Sequence, residues 1–133
     1  MKKIFFAAIA FLAIFASSCN DREGQIRVRF QNKLNSDIHA ARMEFDETNV
    51  TALGELPAGQ TSEYFTFTYF ETGADLPMGL LKGEKDGAAF SAWAGLWCGT
   101  GVAFKQLEAG DYTIQIKQFG TDSTGFYQIL FVE

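Results

Sequence analysis

Apolar and polar residues alternate with a period of two along most of the chain from residue 25 onward. Ile26, Val28 and Phe30 are separated by polar side chains, which is the pattern of a strand with one buried face. Alternation, or enrichment in β-branched and aromatic residues, predicts further strands at 39–45, 50–53, 61–70, 88–98, 112–117 and 126–132. No stretch of ten or more residues has a convincing helical period, although the small residues of 87–97 would also suit a helix.

Turn residues separate these segments and include one predicted hairpin. Pro77 begins its first arm, the sequence Gly83-Glu84-Lys85-Asp86-Gly87 forms its tip, and Ala88 begins the return. Seven or eight short strands with turns between them predict an all-β fold, a seven- or eight-stranded antiparallel β-sandwich or a barrel. We favour the sandwich.

The turn before the 112–117 strand points to a more specific architecture. Leu107 is followed by Glu-Ala-Gly-Asp and then by Tyr112, which opens an alternating strand. This order resembles the entry to a late strand in immunoglobulin-like and prealbumin-like sandwiches, where the tyrosine caps a corner. The resemblance implies a positive φ at Gly110 and a buried Tyr112 ring whose hydroxyl is hydrogen-bonded.

The amino terminus has the organisation of a secretory signal peptide. Lys2 and Lys3 precede an apolar run over residues 4–15, and three small residues lead into Cys19. The run of about twelve residues is shorter than the roughly 20 that a membrane-spanning helix needs. A cysteine at this point resembles the lipidation site of bacterial lipoproteins. We therefore expect a signal peptide at 1–18, a lipidated Cys19 and tether at 19–24, and one β-sandwich domain at 25–133.

Two later stretches extend this resemblance to a family. The segments 56–67 and 107–116, in this order behind a lipidation signal, look like a group of small Bacteroidetes lipoproteins of unknown function. Trp97-Cys98-Gly99 is similar to the aromatic-x-Gly that often precedes the second segment in that group. The resemblance implies a cell-envelope protein that its N-terminal lipid attaches to the outer membrane, and it leaves open whether the domain faces the periplasm or the cell surface. It carries no catalytic or binding residue onto this chain.

Charge narrows the range of partners. The chain has 11 basic and 16 acidic residues, and loss of Lys2 and Lys3 with the signal peptide leaves a formal net charge of −7. Such a domain repels nucleic acid, so nucleic-acid binding is excluded. Cys98 is the one cysteine besides Cys19, and we expect its thiol to be buried.

The sequence offers few residues for catalysis. His39 is the single histidine, and the alternation of residues 37–45 predicts that it lies on one strand face with Ala41, Met43 and Asp37. A nucleophilic triad would need it beside a serine or Cys98, so a histidine without chemistry is the favoured interpretation. The acidic residues of 44–47 and 84–86 are read as solvated turns rather than calcium ligands or a glycosidase pair. We predict no enzyme, no metal site and no cofactor.

Trp93 and Trp97 are the candidate ligand-binding residues. On a strand they would share one face with Gly95, opposite Phe90 and Ala92, and lie about 13 Å apart. Two exposed indoles at that spacing would suit stacking on sugar rings, and the alternative is that both are buried in the core. The predicted function is a non-catalytic envelope binding module, with glycan as the suggested ligand. The alternative is a structural or accessory subunit of an outer-membrane complex with an envelope protein as partner.

Overall fold

The computed structural model describes residues 24–95, 101–120 and 126–132. The described residues form strands and turns without a helix, so none of them builds a helix of the length and hydropathy needed to cross a bilayer. The strands are β1 (Ile26–Asn32), β2 (Ile38–Glu44), β3 (Val50–Leu56), β4 (Phe65–Phe67), β5 (Glu71–Gly73), β6 (Leu76–Pro77), β7 (Leu80–Lys85), β8 (Ala88–Trp93), β9 (Phe104–Gln106), β10 (Gly110–Phe119) and β11 (Phe126–Val132).

Eight of these strands form one large sheet in the order β3-β2-β7-β8-β11-β10-β1-β4, and β6-β5-β9 form a small second sheet. The all-β prediction is confirmed. The large sheet is nearly barrel-like, because its two ends approach each other where Asn32 of β1 donates a hydrogen bond to the carbonyl of Leu56 in β3 at 2.8 Å. This single curved sheet does not establish the predicted sandwich.

The predicted purely antiparallel arrangement is wrong. β1 pairs with β10 in parallel from Ile26↔Gly110 to Asn32↔Ile116, and β8 pairs with β11 in parallel at Tyr127↔Ala92. Alternation along a strand reports which side chains are buried and carries no information about the direction of the neighbouring strand. The error therefore lies in the pairing and not in the strands themselves.

The core is formed by the inward-facing positions of the large sheet together with aromatic residues from 65–70. Val28, Phe30, Ile114 and Ile116 are fully buried, as their alternation predicts. Phe70 lies edge-on against Phe67 at 5.1 Å between ring centroids. Edge-to-face contacts of this kind add stability beyond the area that the rings bury.

The long predicted strand at 61–70 is broken in the structure. Its residues form the short strand β4 and an isolated bridge between Gln31 and Thr61. The aromatic residues pack around Phe30 and Phe45 instead of extending one ladder. Residues 88–93 form a strand and not the alternative helix. The predicted hairpin with its tip at 83–87 is confirmed for β7 and β8, whereas Pro77 lies in β6 of the small sheet and residues 96–98 lie outside the described part of the chain.

A bulge in β2 corrects the predicted position of His39. Ala40 has a φ of 47°, and the pairing register with β3 shifts between Ile38 and Ala41. A bulge inserts one extra residue and reverses the faces on either side of it. Ile38, Ala41 and Met43 are therefore buried, whereas His39 is exposed.

Candidate functional site

Three aromatic rings form a strip on the outer face of the large sheet, and we call Trp93, Phe126 and Phe119 the aromatic strip. They lie on the neighbouring strands β8, β11 and β10. The ring centroids of Trp93 and Phe126 are 5.5 Å apart and those of Phe126 and Phe119 are 5.3 Å apart. Interplanar angles of 39° and 40° make the strip a gently curved row of rings.

The register of the strands and the absence of a side chain at Gly95 bring the three rings of the aromatic strip together. Phe119 and Phe126 are cross-strand partners, and Trp93 is paired with Gln128, two residues beyond Phe126. Gly95 has a φ of 81°, and a Cβ there would lie 3.2 Å from the Phe126 ring. The absence of a side chain at Gly95 therefore lets Phe126 lie close to the backbone that follows β8.

The strip is partly open to solvent. Phe119 is 56% exposed, whereas Trp93 and Phe126 are half-buried. The alternation predicted for 88–98 holds over the described part, since Phe90, Ala92 and Ala94 are buried and Trp93 lies on the opposite face. Trp93 is thus half-buried on the outer face, and both predictions for it, an exposed ring for ligand binding and a ring buried in the core, stay predictions.

Polar groups lie beside the rings. Gln128 and Lys117 are cross-strand partners on β11 and β10, and alternation places both on the same face as the strip. The Gln128 side-chain amide donates a hydrogen bond to the carbonyl oxygen of Ala94 at 3.1 Å, which holds it next to the rings. The arrangement offers flat apolar surfaces with hydrogen-bonding groups at one side.

Other predicted site residues fall outside the described part of the chain. Cys19, Trp97 and Cys98 lie there. The proposed spacing between Trp93 and Trp97 therefore stays a prediction.

Phe119 and Phe126 were missed by the sequence analysis, although Phe119 leaves a readable signal. On β10 it follows Thr113, Gln115 and Lys117 on the otherwise polar face of an amphipathic strand. An aromatic residue on the solvent face of such a strand is informative because that face has no need of it for burial. Its neighbours on β11 and β8 could not be known before the sheet order was known.

A groove of about 400 Å³ lies between the small sheet and the far ends of β10 and β11. Tyr112 and Phe131, with ring centroids 5.7 Å apart, line it together with Thr72, Lys105 and Glu108. The Tyr112 hydroxyl donates a hydrogen bond to the Glu108 carbonyl at 3.0 Å, as the resemblance to a tyrosine-capped corner implies. This groove lies at the opposite end of the β10–β11 hairpin from the strip.

The acidic and histidine residues are engaged in local pairs. His39 contacts Glu55, and the hydrogen bond that the imidazole donates to that carboxylate raises the pKa of the imidazole. Lys82 and Arg42 donate to Glu44 and lower the pKa of its carboxyl group. Within the described ranges no three His, Cys, Asp or Glu side chains converge as a metal site would require.

Hydrogen bonds within its own turn strongly lower the pKa of the Asp46 carboxyl group. Its Oδ2 accepts from the Asn49 side chain at 2.6 Å, and its Oδ1 accepts from the Thr48 hydroxyl and backbone at 2.7 Å. These bonds favour the ionised form and lower the pKa of Asp46 from 3.8 to about 2. Asp46 thus organises the β2–β3 turn, consistent with the structural interpretation of this acidic segment.

Comparison with known proteins gives a fold likeness without a family. No protein-family model matches the chain, and no curated protein does. A solved structure, the NMR structure of a protein from Eubacterium rectale, is similar with a TM-score of 0.53 and 11% sequence identity. The alignment covers 86% of this chain and 95% of that one, so this chain is similar in overall strand arrangement to that protein.

Proposed function

We propose that this chain is a lipid-anchored, non-catalytic binding module of the cell envelope that holds glycans on its aromatic strip. The observation that carries the proposal is the row of Trp93, Phe126 and Phe119 on the solvent face of three adjacent strands. Aromatic rings that a fold does not need for its core mark interaction sites when they are exposed together.

A saccharide chain fits the strip better than a purely apolar partner does. Pyranose rings present C–H groups on their faces and hydroxyl groups at their edges. Centroid spacings of 5.5 and 5.3 Å are close to the length of one sugar unit in an extended chain. Gln128 and Lys117 lie beside the rings and supply donors for the hydroxyl groups.

The anchor supports an envelope location for this module. The sequence of 1–19 resembles a lipoprotein signal, and a lipidated Cys19 would carry more than the two signals that stable membrane attachment needs. The segment 20–24 reaches at most about 17 Å, which would keep the domain near the outer membrane. We also propose membership of the small Bacteroidetes lipoproteins and an immunoglobulin-like or prealbumin-like relation for the fold.

Binding should be tested with paired phenylalanine variants. Phe119 is 56% exposed and lies in the strip, whereas Phe104 is 57% exposed and lies on β9 outside it. Native electrophoresis of the full-length protein through gels containing dextran, xylan, mannan or β-glucan would report binding as retardation. We expect Phe119→Ser and Trp93→Ala to abolish retardation by at least one polysaccharide and Phe104→Ser to preserve it. Equal behaviour of the two phenylalanine variants would contradict the proposal.

The anchor has its own test. Cys19→Ala should move the protein from the membrane fraction to the soluble or unprocessed fraction in cell fractionation. Unchanged membrane association of the variant, together with the absence of lipid in mass spectrometry of the mature protein, would refute lipidation. Turnover of an envelope polysaccharide that disappears on one Asp or Glu substitution would refute the non-catalytic assignment.

An accessory role in an outer-membrane complex is the second candidate, and the edge strand β3 favours it. β3 stands at the end of the large sheet, and Val50 on it is 47% exposed. An unpaired edge is a template for a strand from a partner protein. The Phe45 N–H donates to the Asn49 carbonyl, and in the register that continues to Met43↔Thr51 the N–H groups of Val50 and Ala52 point away from β2. Substituting Ala52 by proline would remove one of these edge donors, and co-purification of an envelope protein that is lost in this variant would support this role.

A further inference from the structure

We propose that Arg29 on β1 forms a binding site for a carboxylate or phosphate group, distinct from the aromatic strip and independent of it. The side chain lies on the outer face of the large sheet, on the polar side of the β1 alternation. Its recognition element is the planar end of the guanidinium group. Arginine presents its donors in a fork that matches the two oxygens of these anions.

Two contacts hold the guanidinium group in place. Its Nε donates to the Thr113 hydroxyl at 2.9 Å, a residue that pairs with Arg29 in the parallel β1–β10 register. Its Cζ lies 5.1 Å from the centroid of the Tyr64 ring, which is a cation–π distance. A side chain fixed in this way loses less conformational entropy on binding than a free one.

The terminal nitrogens of Arg29 face solvent. Among the described residues Arg29 takes part in no ion pair. The structure describes no buried side-chain nitrogen or oxygen without a hydrogen-bond partner. The two terminal guanidinium nitrogens, which no side chain of the described residues engages, are therefore accessible to an incoming anion.

Arg27, the neighbouring outward-facing arginine, shows what a guanidinium group looks like when a carboxylate already accepts from it. Arg27 donates through both Nε and a terminal nitrogen to the two Asp111 oxygens, at 2.7 Å each, and it also lies over Tyr64 at 4.6 Å. The next outward-facing pair along β1 and β10 is Arg29 and Thr113, so the partner of the second arginine is a threonine and not an aspartate. The hydroxyl of Thr113 satisfies Nε alone, so the carboxylate position that Asp111 fills beside Arg27 is open beside Arg29.

Local charge permits anion binding even though the whole chain is acidic. The formal net charge is −5, which disfavours anions at long range. Close to the site, Arg27 and Asp111 neutralise each other, and within the described part of the chain no ion pair compensates the charge of Arg29. The Tyr64 ring and the neutral Gln31–Gln115 pair flank it. The expected affinity is that of one charge-assisted fork.

The experiment titrates the full-length protein in detergent micelles with three matched sugars: glucuronate, glucose 6-phosphate and glucose. The readout is the Arg29 side-chain Nε–Hε signal in ¹H–¹⁵N NMR spectra. We expect saturable shifts with one or both charged sugars and none with glucose. The charged pair distinguishes a carboxylate ligand from a phosphate ligand.

Substitutions of Arg29 distinguish the contribution of the guanidinium geometry from the contribution of the positive charge. Arg29→Gln should weaken binding of the charged sugar about tenfold, and Arg29→Lys should weaken it comparably because the fork is lost while the charge stays. For these variants binding is followed through the backbone signals of Thr113. Lys33→Gln removes one exposed positive charge elsewhere and should leave affinity unchanged.

Three results would overturn the site. These are an absence of saturable shifts with both charged sugars, an equal response to glucose, and equal weakening in the Arg29→Gln and Lys33→Gln variants. Full retention of affinity by Arg29→Lys would refute the fork geometry on which the proposal depends. Failure of the strip variants to alter polysaccharide retardation has no bearing on these outcomes.

Discussion

Replacing Asn32 by alanine should destabilise the fold more than any exposed polar substitution. The Asn32 side chain is fully buried, and its amide nitrogen donates to the Leu56 carbonyl at 2.8 Å and to the Ser36 carbonyl at 3.0 Å. Its amide oxygen accepts from the backbone N–H of Leu34 at 2.9 Å. One side chain thus connects β1, the following turn and β3.

The magnitude follows from the groups that would lose a partner. The Leu56 carbonyl and the Leu34 N–H take part in bonds that are buried, and each such group costs about 1–3 kcal/mol when it is left unpaired. Asn32→Ala should therefore lower the free energy of unfolding by about 2–6 kcal/mol, a large share of the 5–15 kcal/mol typical of a domain. The bond to Ser36 is partly buried and adds less.

Urea unfolding followed by circular dichroism measures this change, with Asn35→Ala as the matched control. Asn35 is an exposed asparagine in the same turn, and its substitution should stay within about 0.5 kcal/mol of the parent. A decrease of less than about 1 kcal/mol in the free energy of unfolding of Asn32→Ala would refute the reasoning. It would mean that the Leu56 carbonyl and the Leu34 N–H form hydrogen bonds with water or with new partners.

A second variant tests the direction of the hydrogen bonds. Asn32→Asp replaces the amide donor by a carboxylate, whose oxygens would face the carbonyl oxygens of Leu56 and Ser36. Burial and this repulsion raise the folded-state pKa of the new group above its unfolded value, so its cost is greatest at neutral pH and falls as it becomes protonated. The stability gap between variant and parent should narrow as the pH is lowered, and a constant gap would contradict the assigned donor.

Three further predictions concern turns. Gly79→Ala should be clearly more destabilising in urea unfolding than Gly59→Ala. Both glycines have positive φ (89° and 70°), but a Cβ at Gly79 would lie 2.6 Å from the Glu44 carbonyl oxygen, whereas one at Gly59 would meet open space. Equal losses of stability in the two variants would contradict the clash. Tyr112→Phe should cost about 0.5–1.5 kcal/mol through loss of its hydroxyl hydrogen bond, and an unchanged unfolding midpoint would show that water replaces it. Asp46 should titrate near pH 2 in carboxyl ¹³C NMR. The stability that it contributes is therefore present above its unperturbed pKa of 3.8 and is lost as the pH falls through the folded value. A measured pKa near 4 would contradict the turn geometry.

The sequence by itself determined most strands of the large sheet and, on β1 and β10, which face is buried. Val28 and Phe30 on β1, and Ile114 and Ile116 on β10, are buried as their alternation predicts, because a strand turns successive side chains to opposite faces. The hydrogen bond of the Tyr112 hydroxyl was also expected, because residues 107–112 resemble the tyrosine-capped corner of known sandwiches. These are local properties of the chain.

The pattern of apolar and polar residues did not predict the bulge in β2 or the interruption of the 61–70 segment. The bulge at Ala40 moved His39 from the predicted face to solvent, because one extra residue in a strand leaves no mark in the composition of its neighbours. The aromatic run of 61–70 reads as one strand, yet its rings were recruited to pack around Phe30 and Phe45. Core packing overrode the β-propensity of this segment.

Tertiary structure alone decided which strands are neighbours, and with them the candidate sites. Trp93, Phe126 and Phe119 form a strip because the sheet order places β8, β11 and β10 side by side. Arg29 meets Thr113 because β1 and β10 pair in parallel, 84 residues apart in sequence. Strand alternation encodes burial and not partnership, so contacts between distant strands are fixed only when the whole sheet closes around its core.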